Sequence, residues 1–314
     1  MKPELESYLK EIPGFSLKNY EAIIAKPPPK SIRVNTLKVS KEKLRQRLEK
    51  QGWLLKEVPW CPEGFFTDRL LMGNTPEHLL GYYFIQDAAS MLLAQVLAPQ
   101  KGSLVLDLAA APGSKATHIA QLMQLEGAIV ANDESFDRIK ALAANIQRCG
   151  VANAVITQLD GRYLPQFGKE MFDRVLVDAP CSGLGQIRVF SEIGQRWNEK
   201  SVQSLAKLQK GLIVAGFDCL KEGGTLVYST CTLAPDENEA VVQELLEKRS
   251  NAMLEEIDIG KAKSHPALSE WRGKAFSSGI LKCKRIYPYD NGTEGFFIAK
   301  ISKASFPSDD EEIA

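Results

Sequence analysis

From Gly81 onward, short apolar runs alternate with longer amphipathic ones, and that alternation restricts the chain to few folds. Ser103–Leu108, Ala128–Asn132, Ala154–Gln158, Arg174–Asp178 and Thr225–Ser229 read as strands. Ser114–Leu125, Phe136–Cys149, Ser201–Leu220 and Pro235–Lys248 read as helices, with Val202, Leu205, Leu208, Leu212 and Leu220 as the apolar stripe of the third. Strands joined through helices form a parallel, doubly wound α/β sheet. Ile286–Ile301 holds two more strand-like pieces around Asn291-Gly292, a hairpin-type turn. The sheet is therefore expected to finish in an antiparallel pair.

The segment before Gly81 reads differently. Residues 1–26 have helical spacing broken at Pro13-Gly14, and Pro27-Pro28-Pro29 stops them. Ser31–Leu37 alternates like a strand, Lys41–Gln51 is a charged helix, and Pro59–Pro76 is a loop or irregular small sheet. The expected organisation is a small α+β domain (1–80), a Rossmann-like domain (81–303) and an acidic tail (304–314). The chain balances 39 basic against 39 acidic residues, but residues 1–80 hold 14 basic against 10 acidic. The compensating acids include Asp309, Asp310, Glu311 and Glu312 in the tail, which reads as solvated. A mildly basic first segment is compatible with a polyanionic partner. The six cysteines form no CxxC pair and there are three histidines, which argues against a structural zinc motif and leaves no metal expected. No signal peptide and no membrane-spanning run is seen, so a reduced, cytoplasmic protein without a membrane partner is expected.

Chemistry concentrates at the strand ends. Asp178-Ala179-Pro180-Cys181-Ser182-Gly183 follows Val175–Val177, and Ser229-Thr230-Cys231-Thr232 follows Thr225–Tyr228. Carboxyl ends of parallel strands face the crevice where open α/β sheets bind ligands. Leu104–Ser114 reads as a strand ending in Asp107, then small residues and Pro112-Gly113 opening a helix, where backbone amides can approach a ligand closely. Asp133, Asp160 and Asp178 end the next three strands, and with Asp107 they are expected to ring one crevice. The alternative for each is an ordinary helix or turn cap. Asp133 suits ribose hydroxyls and Asp160 an adenine amine. The absence of GxGxxG weakens a nicotinamide or flavin reading and points to S-adenosylmethionine. A thiol beside a methyl donor suggests methylation at carbon 5 of a pyrimidine, which needs nucleophilic attack at carbon 6 first. The other cysteines, Cys61, Cys149, Cys219 and Cys283, read as small buried hydrophobes.

On IRVNTL (32–37), QDAAS (86–90), DLAAAPGSKATHIA (107–120), DAPCSGLG (178–185), STCTLAPDENE (229–239) and GFFIAK (295–300), the chain resembles the Nol/Nop/Sun family of RNA 5-methylcytosine methyltransferases. The resemblance implies a Rossmann-like S-adenosylmethionine-dependent methyltransferase preceded by a small RNA-contacting domain. It implies Cys231 as nucleophile, Cys181 as the residue assisting product release, and Asp178 as the group that holds the cytosine. Ala110, Ala111, Pro112, Gly113, Ser114, Lys115, Asp133, Arg138, Asp160 and Asp178 would line the methyl-donor site. Arg33, Asn35, Arg188 and Arg196 are candidates to grip phosphate or stack a base, as are Trp197 and Phe190, for which ordinary core packing is the favoured alternative. The expected partner is RNA, with tRNA favoured over rRNA because the chain resembles the compact archaeal tRNA enzymes. A DNA cytosine methyltransferase and a non-catalytic RNA-binding assembly factor are the rival readings.

Overall fold

The computed structural model describes residues 1–305; the acids of the expected tail lie outside them. Nine strands form the main sheet among the described residues, in the order 265–266, 284–286, 296–303, 220–230, 172–178, 104–107, 128–132 and 154–157, with 252–254 on the far side of 296–303. Leu104–Asp107, Ala128–Asn132, Ala154–Thr157, Phe172–Asp178 and Leu220–Thr230 run parallel, and Phe296–Lys303 pairs antiparallel to Leu220–Thr230. The parallel-then-antiparallel sheet is thus as expected.

Side chains alternate across each strand, so a strand buried on both faces reads as continuously apolar. Val105, Leu176, Val227 and Ile298 pack on one face against Ile119, Ala120, Leu142 and Ile146. Leu106, Val175, Val177, Leu226, Tyr228 and Phe297 pack on the other against Leu212, Ile213, Phe217, Val241 and Val242. The strand Leu104–Asp107 has the strands Phe172–Asp178 and Ala128–Asn132 on either side, so the order reverses there and leaves a crevice at the carboxyl ends.

Three of the departures from the sequence reading have a local reason. The strand expected at Thr225 begins at Leu220, directly after the helix Glu199–Cys219. Its ladder shifts between Phe172 and Arg174, and the extra residues pass through Gly223, at a left-handed φ of +71°. The helix expected from Pro235 is a single tight turn, Pro235–Glu237, then Glu239–Lys248, broken at Asn238. Asn238 is diverted because its side chain accepts from Thr230 Oγ1 (2.5 Å) and donates to the Thr232 carbonyl (3.1 Å). Asn291-Gly292 is no two-residue hairpin: Pro288–Asn291 forms a helical turn, and Gly292 ends it at φ +73°.

The N-terminal part is two structures. Lys30–Val34, Leu55–Glu57, Gly64–Thr67 and Tyr83–Ile85 form a four-stranded antiparallel sheet, whose last strand lies past residue 80. The helices Pro3–Glu11 and Leu17–Ile24 instead pack with Leu184, Ile187, Trp197 and Leu233 beside the Cys181 loop. Tyr20 donates to the Leu184 carbonyl (2.6 Å), which fixes that attachment. Among the described residues no helix is long and apolar enough to cross a membrane.

Candidate active site

The strand pairing sets Asp178 opposite Ser229, so the chain leaves both strands at the same level. Cys181 and Cys231 therefore meet with their sulfurs 2.9 Å apart, both as free thiols. The loops carrying them are stitched together. Ser182 and Thr232 hydroxyls lie 2.7 Å apart, and the Gly185 amide donates to the Cys231 carbonyl (2.9 Å). Beneath them the buried Glu237 accepts from the Ser182 amide (2.9 Å) and from Gln209 (2.8 Å). Burial pushes the Glu237 carboxyl up to about 7. The hydrogen bond with Cys231, then burial, pushes the Cys181 thiol well above its ordinary range, so Cys181 keeps its proton.

In the same cleft, Lys115 in the first turn of the helix Ser114–Leu122 places Nζ 2.6 Å from Asp178 Oδ2. Ser229 donates to the other oxygen of Asp178 at 2.7 Å. Burial alone would lower the Lys115 ammonium, but Asp178 outweighs that and the net shift is upward. Gly113 caps this helix at φ +101°, a left-handed conformation that a side chain would strain, and a Cβ there would stand 3.0 Å from Leu142 Cδ1. Arg138 braces the loop by donating to the Ala111 carbonyl (2.7 Å) while its other nitrogen lies 3.4 Å from Asp133.

These groups line a cleft of about 480 Å³, within the size range of small-ligand sites. Ala111, Pro112, Ser114, Lys115, Arg138, Asp178, Cys181 and Cys231 line it. So does Phe190, 46% exposed and available to stack on a flat ligand. The sequence reading gave no role to Asp87, Gln186 and Glu294, which line the same cleft. Gln186 donates to Glu294 (2.8 Å), and burial together with Asp87 pushes the Glu294 carboxyl up to about 7. Asp87 lies in QDAAS, a segment noted as a motif, so a signal existed. Glu237 lies likewise in STCTLAPDENE, whereas Glu294 gave no signal beyond being the lone acid in GTEGFF and Gln209 gave none.

The four strand-end acids do not form one ring. Asp107 is buried, neither oxygen has a partner, and burial with Asp178 nearby pushes it up to about 7. Asp133 lines a smaller adjoining cavity and already accepts from the Ala111 and Ser135 amides. Asp160 departs from the expectation: it lines neither cavity, because Arg162 two residues on clamps both its oxygens and it caps the turn Gly161–Gln166. Ala110, also expected to line the site, is buried and receives the Gly113 amide, so it shapes the loop from beneath.

Most expected RNA-gripping residues prove structural. Arg33 is buried, and its guanidinium bonds Gln86, the Ser114 carbonyl (2.6 Å) and Thr117 (2.8 Å), tying the small sheet to the helix that carries Lys115. Asn35 is buried and donates to the Gly81 and Cys149 carbonyls, both at 2.8 Å. Arg188 is consumed by the carbonyls of Lys26, Pro27 and Gly292, and Trp197 is core against Tyr8. Arg196 remains exposed, and Phe190 is in the cleft. Cys61, Cys149, Cys219 and Cys283 are buried, as read.

A switch-point cleft floored by small residues and a helix start, with an acid after each early strand, defines a Rossmann-like methyltransferase. A model described as 16S rRNA methyltransferase RsmB/F matches residues 94–302, and one for the N-terminal domain of 16S rRNA methyltransferase RsmF matches 3–88. The chain belongs to the RsmB/F, or Nol1/Nop2/Sun, methyltransferase family. It is 43% identical over 297 residues to ribosomal RNA small subunit methyltransferase F of Vibrio parahaemolyticus, covering 92% of this chain and 60% of that protein. The chain thus spans about 60% of the length of the first curated relatives it matches. It is 44% identical over 285 residues to the tRNA (cytosine(49)-C(5))-methyltransferase of Pyrococcus abyssi, covering 90% of each. NSun6 from Pyrococcus horikoshii, solved with SFG, superposes with a TM-score of 0.85 at 28% identity, covering 97% of this chain and 99% of that one. S-adenosylmethionine is the cofactor of the family, and SFG is one of its analogues. The residues present fit that cofactor: Asp107 is buried and unpartnered and feels the charges of Lys115 and Asp178, both of which line the cleft, so a cationic ligand there would add counter-charge.

Proposed function

We propose that the chain is an RNA cytosine-5 methyltransferase acting through a covalent bond between Cys231 and carbon 6 of the target base. The observation that carries this reading is that two touching thiols and the Lys115–Asp178 pair line one cleft. Bound S-adenosylmethionine supplies an electrophilic methyl group. The residues proposed to hold it are the loop 110–115 with Arg138 and Asp133. Asp160 is the weakest member of that set, since its carboxylate must first leave Arg162.

Cys231 attacks carbon 6 as the thiolate, and carbon 5 gains the electron density that accepts the methyl group. Asp178, held by Lys115 and Ser229, faces the ring nitrogens and, by passing a proton from the Lys115 ammonium to ring nitrogen 3, neutralises the negative charge that develops there. Cys181 starts protonated beside the nucleophile. Once its proton has been lost to solvent, the Cys181 thiolate is placed to take the carbon-5 proton, as the carbon 5–carbon 6 double bond re-forms and the Cys231–carbon 6 bond breaks. Phe190 offers a face on which an unstacked cytosine can rest.

Transfer RNA is the favoured substrate class, supported by the match over 90% of the length of both this chain and a tRNA enzyme. The match of residues 3–88 to an N-terminal domain of an rRNA enzyme supports the second reading, ribosomal RNA. We further propose that the N-terminal segment, residues 1–80 with the strand that follows, contacts the RNA around the cleft, and that the protein works in the cytoplasm. RNA containing 5-fluorocytosine, offered as tRNA or as rRNA fragments, tests both parts. A trapped adduct should form with wild type, vanish in Cys231→Ala and persist or accumulate in Cys181→Ala. Loss of the adduct in Cys181→Ala alone would reverse the assignment of the thiols.

A further inference from the structure

His118 is fully buried on the helix Ser114–Leu122, and neither ring nitrogen has a hydrogen-bond partner. A buried polar group without a partner is costly, and native proteins seldom leave one without a reason. Its nearest chemistry comes from the N-terminal part of the chain. Cys61, Glu63 and His118 bring a sulfur, a carboxylate oxygen and a ring nitrogen within 4.8 Å of one another. Cys61 is buried, and its Sγ lies 3.6 Å from Glu63 Oε2. Glu63 is only half-buried, so the group has a path to solvent.

We propose that Cys61, Glu63 and His118 bind a divalent cation of the zinc class, stapling the loop before the strand Gly64–Thr67 to the helix that carries Lys115. The donor set is the argument for that class. Thiolate, imidazole and carboxylate together suit a borderline cation such as zinc and do not suit magnesium or calcium. A cation centred among atoms no more than 4.8 Å apart lies ~2.8 Å or less from each, against roughly 2.0–2.3 Å for zinc bonds, so small side-chain shifts complete them. Coordination releases the Cys61 proton to solvent, and the thiolate and Glu63 carboxylate then cancel the charge of the dication. That neutrality matters because the Arg33 guanidinium acts on both Cys61 and His118. Gln121, one turn on from His118, is also buried without a partner and offers an amide to orient the site. The cysteine count argues against a Cys-rich zinc motif but not against three mixed ligands from two separated segments.

The test is cobalt and zinc titration of untagged full-length protein in a Cys181→Ser, Cys231→Ser background, which removes the other accessible thiols. One equivalent of cobalt should give a thiolate charge-transfer band that zinc abolishes, and zinc should raise the melting temperature. Cys61→Ser should remove the band, and His118→Gln and Glu63→Gln should weaken binding by at least about tenfold. Circular dichroism confirms that each variant is folded. No band in the parent background, or an undiminished band in Cys61→Ser, would overturn the site.

Discussion

Cys181 and Cys231 present their sulfurs to each other across 2.9 Å, and this contact helps to hold the proton on Cys181. The bond to Cys231 is the largest cause holding the Cys181 thiol up, ahead of burial. Removing the partner should therefore release Cys181. In Cys231→Ala, alkylation of Cys181 by iodoacetamide at pH 8 should be faster than in wild type by at least about tenfold, the effect of one pKa unit. An unchanged pH profile for Cys181 would mean that burial alone sets its state.

Asp178 has its two oxygens assigned to Lys115 and Ser229, and both members of the ion pair are only slightly exposed. Asp178→Asn keeps the shape and removes the charge. Groups that stabilise developing charge are worth roughly 10²–10³ in rate, so single-turnover methyl transfer should fall by about that factor. Cofactor affinity, measured by calorimetry, should change much less. Loss of cofactor binding with a normal transfer rate would place Asp178 in the donor site alone.

Asp107 ties stability to pH. Its folded pKa is raised to about 7 by burial and by Asp178, against an ordinary value of 3.8. The folded state therefore binds more protons than the unfolded state between about pH 4 and pH 7, and its stability falls as pH rises through that window. Asp107→Asn removes this contribution. The melting temperature of the variant relative to wild type should rise between pH 5 and pH 8, by the equivalent of a few kcal/mol at most (~1.4 kcal/mol per pKa unit). A constant difference across that range would show that Asp107 finds a partner in solution.

The sequence revealed the strands and the two thiols for the same reason. Val175–Val177 and Leu226–Tyr228 are apolar on both faces, and the polar residues that follow each must leave the sheet at its carboxyl end. Pairing then brings Cys181 to Cys231 without further information. Arg33 was misread because alternation shows that two faces exist but not what lies over them; here the covering element is a helix 80 residues away. Glu294 stayed hidden because its position depends on the path after Asn291-Gly292, which is a helical turn and not a hairpin. Asp160 is the opposite case. Its captor, Arg162, is two residues along, and a closer look at Asp160-Gly161-Arg162 favours the local clamp.

Gly185 sits where the site's loops pass close to one another, and its substitution should be among the most damaging near the cleft. Its amide donates to the Cys231 carbonyl (2.9 Å) and its carbonyl accepts from the Gly295 amide (3.0 Å), so it joins the Cys181, Cys231 and Glu294 loops. A Cβ at this position would lie 2.3 Å from the Gly295 oxygen and 2.8 Å from the Cys231 oxygen. Both obstacles are backbone, which cannot swing aside as a side chain would. Gly185→Ala must therefore either break these two hydrogen bonds or push the strand ends apart. Buried hydrogen bonds are each worth about 1 kcal/mol and overpacking about 1–3 kcal/mol, so a loss of roughly 2–4 kcal/mol in urea unfolding is expected. Methyl transfer should fall as well, because the same shift moves Cys231 relative to Asp178. Gly223→Ala is the control: nothing lies within 4 Å of its Cβ, so its cost comes only from its positive φ and activity should be preserved. Equal losses in the two variants would show that the loops around Cys231 can yield.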